Sequence, residues 1–155
     1  MGKSSQYNHY MIRVDIPSQN VIDIEEEFKG LLYERADGLY NIGKSKNIYT
    51  EEYADSDRKR VFLPPDGNYT YEGTEITMTF IVVGNATQRN DTIQKFSDYI
   101  RKGVHRYWDT ARNREFDFVV KNEIKVGDER WHGSSPYAEL TVTMQNLNGK
   151  TWQHR

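Results

Sequence analysis

Two runs of strict alternation constrain this chain more than any other feature. Between Thr74 and Val83, the residues Ile76, Met78, Phe80 and Val82 fall on one side, and Thr77, Thr79, Ile81 and Val83 on the other. Between Tyr137 and Gln145, the residues Ala138, Leu140, Val142 and Met144 share a side. A period of two is what a strand with one face in a core requires, because successive side chains leave the backbone in opposite directions. Near Val83 both faces are apolar, so that end is expected to be covered on both sides.

Shorter segments extend the pattern. His9 to Ile16 reads as a strand, with Tyr10, Ile12, Val14 and Ile16 on one face and His9, Met11, Arg13 and Asp15 on the other. A turn at Pro17 to Asn20 leads to a second alternation at Val21 to Ile24. Asp23 and Glu26 have capping-box spacing, but Gly30 interrupts the segment and Phe28, Leu32 and Glu34 fit either period, so Glu25 to Arg35 is read as strand. Val61 to Leu63 is a short strand stopped by Pro64-Pro65-Asp66-Gly67. Val104 to Trp108 and Glu115 to Val120 form a hairpin across a polar turn, and Asn122 to Val126 continues the strand past a bulge. Gly127-Asp128 and Gly133 to Pro136 flank a loop holding Trp131 and His132.

One helix stands out, over about 91–102. Asn90 or Asp91 is its N-cap, Ile93, Phe96, Tyr99 and Ile100 form its apolar stripe, and Gly103 supplies the left-handed position after it. The sum is seven or eight strands and one helix, without a βαβ rhythm. The expected fold is α+β, mainly β: an antiparallel β-sandwich or partly closed barrel with one flanking helix. The 155 residues suit one domain, with 1–8 and 147–155 as flexible or assembly arms.

Only 36% of the residues are hydrophobic while 28% are charged, so the core is lean or partner chains complete it. The 11 tyrosines suit protein interfaces and, equally, half-buried strands. A net charge of −2 argues against wholesale binding to a phosphate backbone. With no cysteine there are no disulfides, thiol nucleophiles or thiolate metal sites. Met1 to Tyr10 has no apolar core of a signal peptide, and no apolar run approaches the ~18 residues that suggest a membrane span. The sequons at Asn68, Asn85 and Asn90 read as chance matches without a secretory route.

The search for chemistry returns little. There is no Gly-x-Ser-x-Gly elbow, phosphate loop or dinucleotide fingerprint. His9, His105, His132 and His154 share no metal-ligand spacing. The carboxylates of Glu25-Glu26-Glu27 and Glu51-Glu52 read as solvated faces. Asp55-Ser56-Asp57 lacks the glycine and distal Glu of a calcium loop. No catalytic residue, cofactor, metal or small-molecule substrate is expected.

Two regions remain for binding. Ala36 to Lys59 is a long stretch without a period, and such loops are usually functional. Arg101 to Arg114 gathers Arg106, Arg112 and Arg114 around Tyr107 and Trp108. That hairpin reads as an exposed basic surface over a core tryptophan, as a single-stranded nucleic-acid platform, or as arginines meeting acidic loops of a neighbouring subunit. A carbohydrate-binding sandwich using a surface tryptophan such as Trp131 is a further alternative.

Several phrases point to a family. Gly38-Leu-Tyr-Asn-Ile-Gly-Lys-Ser-Lys-Asn-Ile-Tyr-Thr50 runs into Tyr53-Ala-Asp-Ser-Asp-Arg-Lys-Arg-Val-Phe-Leu-Pro64. Tyr107-Trp-Asp-Thr-Ala-Arg-Asn-Arg114, Pro136-Tyr137 and Gln145-Asn-Leu-Asn-Gly149 come later in the chain. Over roughly 20–150 the chain resembles phage or prophage tail proteins of Bacteroidales-type genomes, and in outline the N-terminal domain of siphophage distal tail proteins and the tail-tube fold. The resemblance implies a β-sandwich flanked by a helix, assembled into hexameric rings whose sheets join around the tail channel. It implies a virion-tail location after synthesis in the host cytoplasm. The partners are further copies and other tail proteins, with DNA only passing through the channel. The candidate subunit contacts are then Tyr40, Ile42, Lys44, Ile48, Tyr49, Tyr53, Arg58 and Arg60 in the loop, with Arg106, Arg112 and Arg114 from the hairpin. Distal tail proteins usually carry a further C-terminal domain, whereas this chain ends soon after its last strand; a tube, completion or terminator role is equally open.

Overall fold

A computed structural model of the chain describes residues 9–17, 19–52, 54, 59–127, 130–132 and 135–153. In chain order its elements are β1 (His9–Arg13), β2 (Ile22–Asp23), α1 (Ile24–Glu27), β3 (Leu31–Asp37), β4 (Tyr49–Glu51), β5 (Arg60–Phe62), β6 (Glu75–Val83), α2 (Ala86–Arg101), β7 (His105–Asp109), β8 (Arg114–Val119), β9 (Lys125–Val126), β10 (Arg130–His132), β11 (Ser135–Asn146) and β12 (Trp152–Gln153). The main sheet runs β2-β1-β7-β8-β11-β6-β3, and every pairing is antiparallel.

The sheet is open and folds at one corner. β8 pairs with β7 along its length but meets β11 only at Val119↔Gln145 and Phe118↔Asn146. The two halves turn their apolar faces to each other. Met11, Tyr107, Phe116 and Phe118 from one half share a core with Ile76, Met78, Phe80, Leu140, Val142 and Met144 from the other. His9 on β1 stacks on Tyr33 of β3 with ring centroids 4.0 Å apart, although those strands stand far apart in pairing order. The architecture is thus mainly β and sandwich-like, as the alternation predicts.

Helix α2 fills the gap between the halves. Phe96 meets Phe80 of one half edge-on at 5.1 Å, and Tyr99 meets His105 of the other at 4.8 Å. It starts at Ala86, before the Asn90 or Asp91 cap expected from sequence. The cap is Asn85, whose side chain accepts from Gln88 N while Asn85 N donates to Gln88 Oε1. The early turns carry no apolar stripe because polar groups fill their buried face. Arg89 donates to Gly84 O and Thr92 donates to Lys29 O.

Glu25 to Arg35, read as one strand, divides in two. Asp23 caps the four-residue α1 by accepting from Glu25 N, and β3 begins at Leu31. Gly30 makes the turn between them at φ +84°, where a Cβ would collide with the Val83 carbonyl oxygen. β1 ends at Arg13 rather than Ile16, and the face it buries carries His9 and Met11; Val14 and Ile16 are exposed. The chain does return to the same edge of β11 after β8, at β9, but only after the break at 120–124. Trp131, placed in a loop by sequence, lies in β10, which pairs with the start of β11. Of the expected arm at 147–155, Trp152 and Gln153 pair with β8, and Thr151 donates to Leu39 O from a buried position. The other arm, 1–8, lies outside the described residues.

Candidate assembly surface

The region expected to be an irregular loop is a protruding ribbon. Its stem is laced by Gly43 N donating to Gly149 O, Glu72 N to Lys44 O and Lys46 N to Thr70 O. Asn47 bonds the facing strand twice, donating to Asn68 O and accepting from Thr70 N. Beyond it β4 and β5 pair as a separate two-stranded sheet with Tyr49↔Phe62, Thr50↔Val61 and Glu51↔Arg60 in register. All six of these residues are exposed. Eight of the fourteen exposed large hydrophobic residues among those described fall between Tyr40 and Tyr71, so the apolar surface is concentrated here. The ribbon stands at the Glu75–Asp37 end of the β3–β6 pair, remote from the Gly30–Val83 end.

The candidate contact residues divide by place. Tyr40, Ile42 and Tyr49 are the most exposed, at 58%, 63% and 64%. Lys44 is exposed on the stem, Ile48 is half-buried, and Arg60 lies over the Phe62 ring at 4.7 Å. Tyr53 and Arg58 lie outside the described residues. Arg114 joins this region to the hairpin, its guanidinium 5.0 Å from the Tyr40 ring centre and its Nη1 donating to Thr151 O.

The other two arginines are engaged within the chain. Arg106 forks onto Asp117 at 2.7 and 3.2 Å and lies 5.5 Å from the Trp152 ring, which in turn donates to Glu115. Arg112 donates to the fully buried Asp109 at 2.8 Å and to the Tyr33 hydroxyl at 3.3 Å. Their carboxylate partners come from the same hairpin, where Arg106 faces Asp117 directly. Each head is thus offset by a carboxylate of the same hairpin, which weakens this surface as a cationic platform for single-stranded nucleic acid.

Sequence reasoning missed the polar cluster that Arg112 closes. His9 is buried and its Nδ1 lies 2.6 Å from the Tyr107 hydroxyl, while Tyr33 N donates to Glu25. Burial pushes the Tyr107 hydroxyl well above its ordinary value and the His9 imidazole below it. Both rings are therefore neutral near pH 7. A histidine alternating with a buried methionine was the one signal available in sequence.

An open cleft of about 790 Å³ lies between the 25–32 turn and the first half of α2. Glu26, Glu27, Asp91, Lys29 and Lys95 are its exposed charged groups, and its lining holds no serine, cysteine or histidine. No group of three metal-ligating side chains occurs among the described residues. No helix there is long and apolar enough to cross a membrane.

No family model matches the sequence, and no curated protein does. Solved structures do match. One is a chain of the phage p2 baseplate in its activated conformation with Sr, similar over 94% of this chain with a TM-score of 0.57 and 12% identity. The fold resembles that of a phage baseplate chain. A chain of the same baseplate with Ca gives a TM-score of 0.52, again over 94% of this chain at 12% identity. In both, the chain spans 45% of the length of the protein it matches. At this identity the likeness is one of fold.

Proposed function

We propose that this chain is a structural, non-enzymatic subunit of a phage or prophage tail or baseplate. It assembles with its own copies into a ring, six to a turn, around the tail channel, and contacts other tail proteins above and below. The observation that carries this reading is the likeness of almost the whole chain to a phage baseplate chain. A distal-tail or tail-tube position accords with the sandwich and its flanking helix.

The ribbon supports assembly on physical grounds. A two-stranded ribbon is marginal in water unless something packs on it. The exposed surface of Tyr49, Val61, Phe62 and Leu63 would be buried by another chain packing on the ribbon. β3 offers a second contact, because it is a terminal strand of the sheet path and its outer edge can take a strand from a neighbour.

Native mass spectrometry over a concentration series tests the proposal. A closed ring is expected for the wild-type chain, and its loss for Tyr49→Ser combined with Phe62→Ser. A strict monomer in the presence of co-encoded tail proteins would sink the reading.

A further inference from the structure

His105 is the first residue of β7, fully buried beneath the corner where α2, β1 and β7 meet. Its Nε2 lies 2.8 Å from the Lys102 carbonyl, so Nε2 carries the hydrogen and donates. Its Nδ1 is buried and has no partner. The ring lies between Phe118 of β8 at 5.6 Å and Tyr99 of α2 at 4.8 Å. A neutral imidazole is the less costly form in this setting, because it buries one unpaired acceptor and no charge, whereas an imidazolium would place a charge between two buried aromatic rings.

The lid over this ring comes from the end of β1. Arg13 is paired opposite His105 and forks onto Asp15 at 3.0 and 3.3 Å. The Asp15 carboxylate also accepts from Val104 N, while Val14 N donates to Val104 O. This latch presses on Gly103, which holds φ +80° at the end of α2. A Cβ on Gly103 would collide with the Arg13 guanidinium and the Asp15 carboxylate.

We infer that the Arg13–Asp15 latch is an acid-released clasp, in which protonation of His105 frees the end of β1 from the α2–β7 corner. The new cation would stand against the Arg13 guanidinium. Arg13 is the cross-strand neighbour of His105, so the added charge repels the guanidinium that Asp15 holds over the corner and loosens the latch.

Every group facing the ring enters the balance. Burial lowers the His105 value most, and Arg13 lowers it further; the Lys102 and Tyr99 carbonyls and Asp15 oppose this. Tyr99, raised by burial, stays neutral, and Arg13 holds Asp15 below its ordinary value and therefore charged throughout the histidine range. A folded value below the ordinary 6.5 means that the open state takes the proton first. The clasp is therefore tightest above pH 6.5 and weakens as the pH falls below it. His9, at the other end of the β1–β7 ladder, is also lowered, by burial and Arg112 against Asp109, Glu25 and Asp23. It acts in the same direction on a different end of the strand.

Amide hydrogen exchange of the whole chain from pH 7.5 to 5, corrected for intrinsic exchange, reads the clasp at Val14 N–H. Protection is expected to fall below the ordinary histidine value, by at most about tenfold per pH unit, as uptake of one proton allows. His105→Gln keeps a donor for Lys102 O without titrating, and in it Val14 protection should stay flat. A flat wild-type profile, or the same slope in His105→Gln, overturns the inference. If that variant does not fold, NMR titration of the wild-type His105 ring decides: a value below the ordinary one supports the clasp, and one at or above it removes the clasp.

Discussion

The sandwich and the ribbon are both built from antiparallel strands, yet they answer to different forces. In the sandwich, Phe80 has Tyr33 on one side and Phe96 on the other, and no surface of it reaches water. In the ribbon, Tyr49 faces Phe62 across the ladder, and the two are 64% and 37% exposed. Cross-strand pairs contribute some tenths of a kcal/mol up to about 1 each. Burial of one Phe contributes about 1.5–3 kcal/mol. The sandwich therefore carries the stability of the fold. The ribbon leaves its aromatic surface exposed and is held by backbone bonds to Thr70, Glu72 and Gly149. Apolar residues in strands thus do two jobs here, and exposure separates them.

Four variants break or sharpen that contrast, in falling order of their effect on stability. Phe80→Ala should cost about 3–5 kcal/mol in urea denaturation, since a cavity opens between β6, β3 and α2. A loss under about 1 kcal/mol would mean that this layer is not the core. Arg112→Ala should cost about 1–3 kcal/mol, because the buried Asp109 loses its charged donor while Ala111 N and Arg112 N remain as neutral ones. Arg106→Ala should cost at most about 1 kcal/mol, since that side chain is 42% exposed and its pair with Asp117 is screened by solvent. Tyr49→Ser with Phe62→Ser should move stability by about 0.5 kcal/mol or less while removing self-assembly, read by native mass spectrometry. A drop in the melt comparable to that of Phe80→Ala would place the ribbon within the folding core.

Much of the sandwich was legible because burial there follows the pleat. Ile76, Met78, Phe80 and Val82, and opposite them Leu140, Val142 and Met144, face inward as their alternation predicts. The start of α2 was not legible, because Arg89 and Thr92 occupy its buried side and satisfy carbonyls from other elements. Periodicity cannot distinguish a buried polar residue with a partner from a solvated one. The same blindness hid His9 on β1. Within the candidate surface, Tyr40, Ile42 and Tyr49 were found as exposed aromatic and apolar residues in a segment without a core period. The partners of Arg106 and Arg112 were missed. Asp117 faces Arg106 only through the register of the hairpin, and Asp109 reaches Arg112 only through its turn.

From sequence alone came the strand-dominated composition of the fold, its two long central strands, and the helical stripe of Phe96 and Ile100. These are local properties, read from the spacing of residue types along one segment. Tertiary structure decided the rest: that the sheet folds at the β8–β11 corner, that β4 and β5 leave it as a ribbon, and that Arg112 and Arg106 pair with Asp109 and Asp117. Each of those depends on which surface a second segment covers, and that is settled when burial is shared among segments distant in the chain.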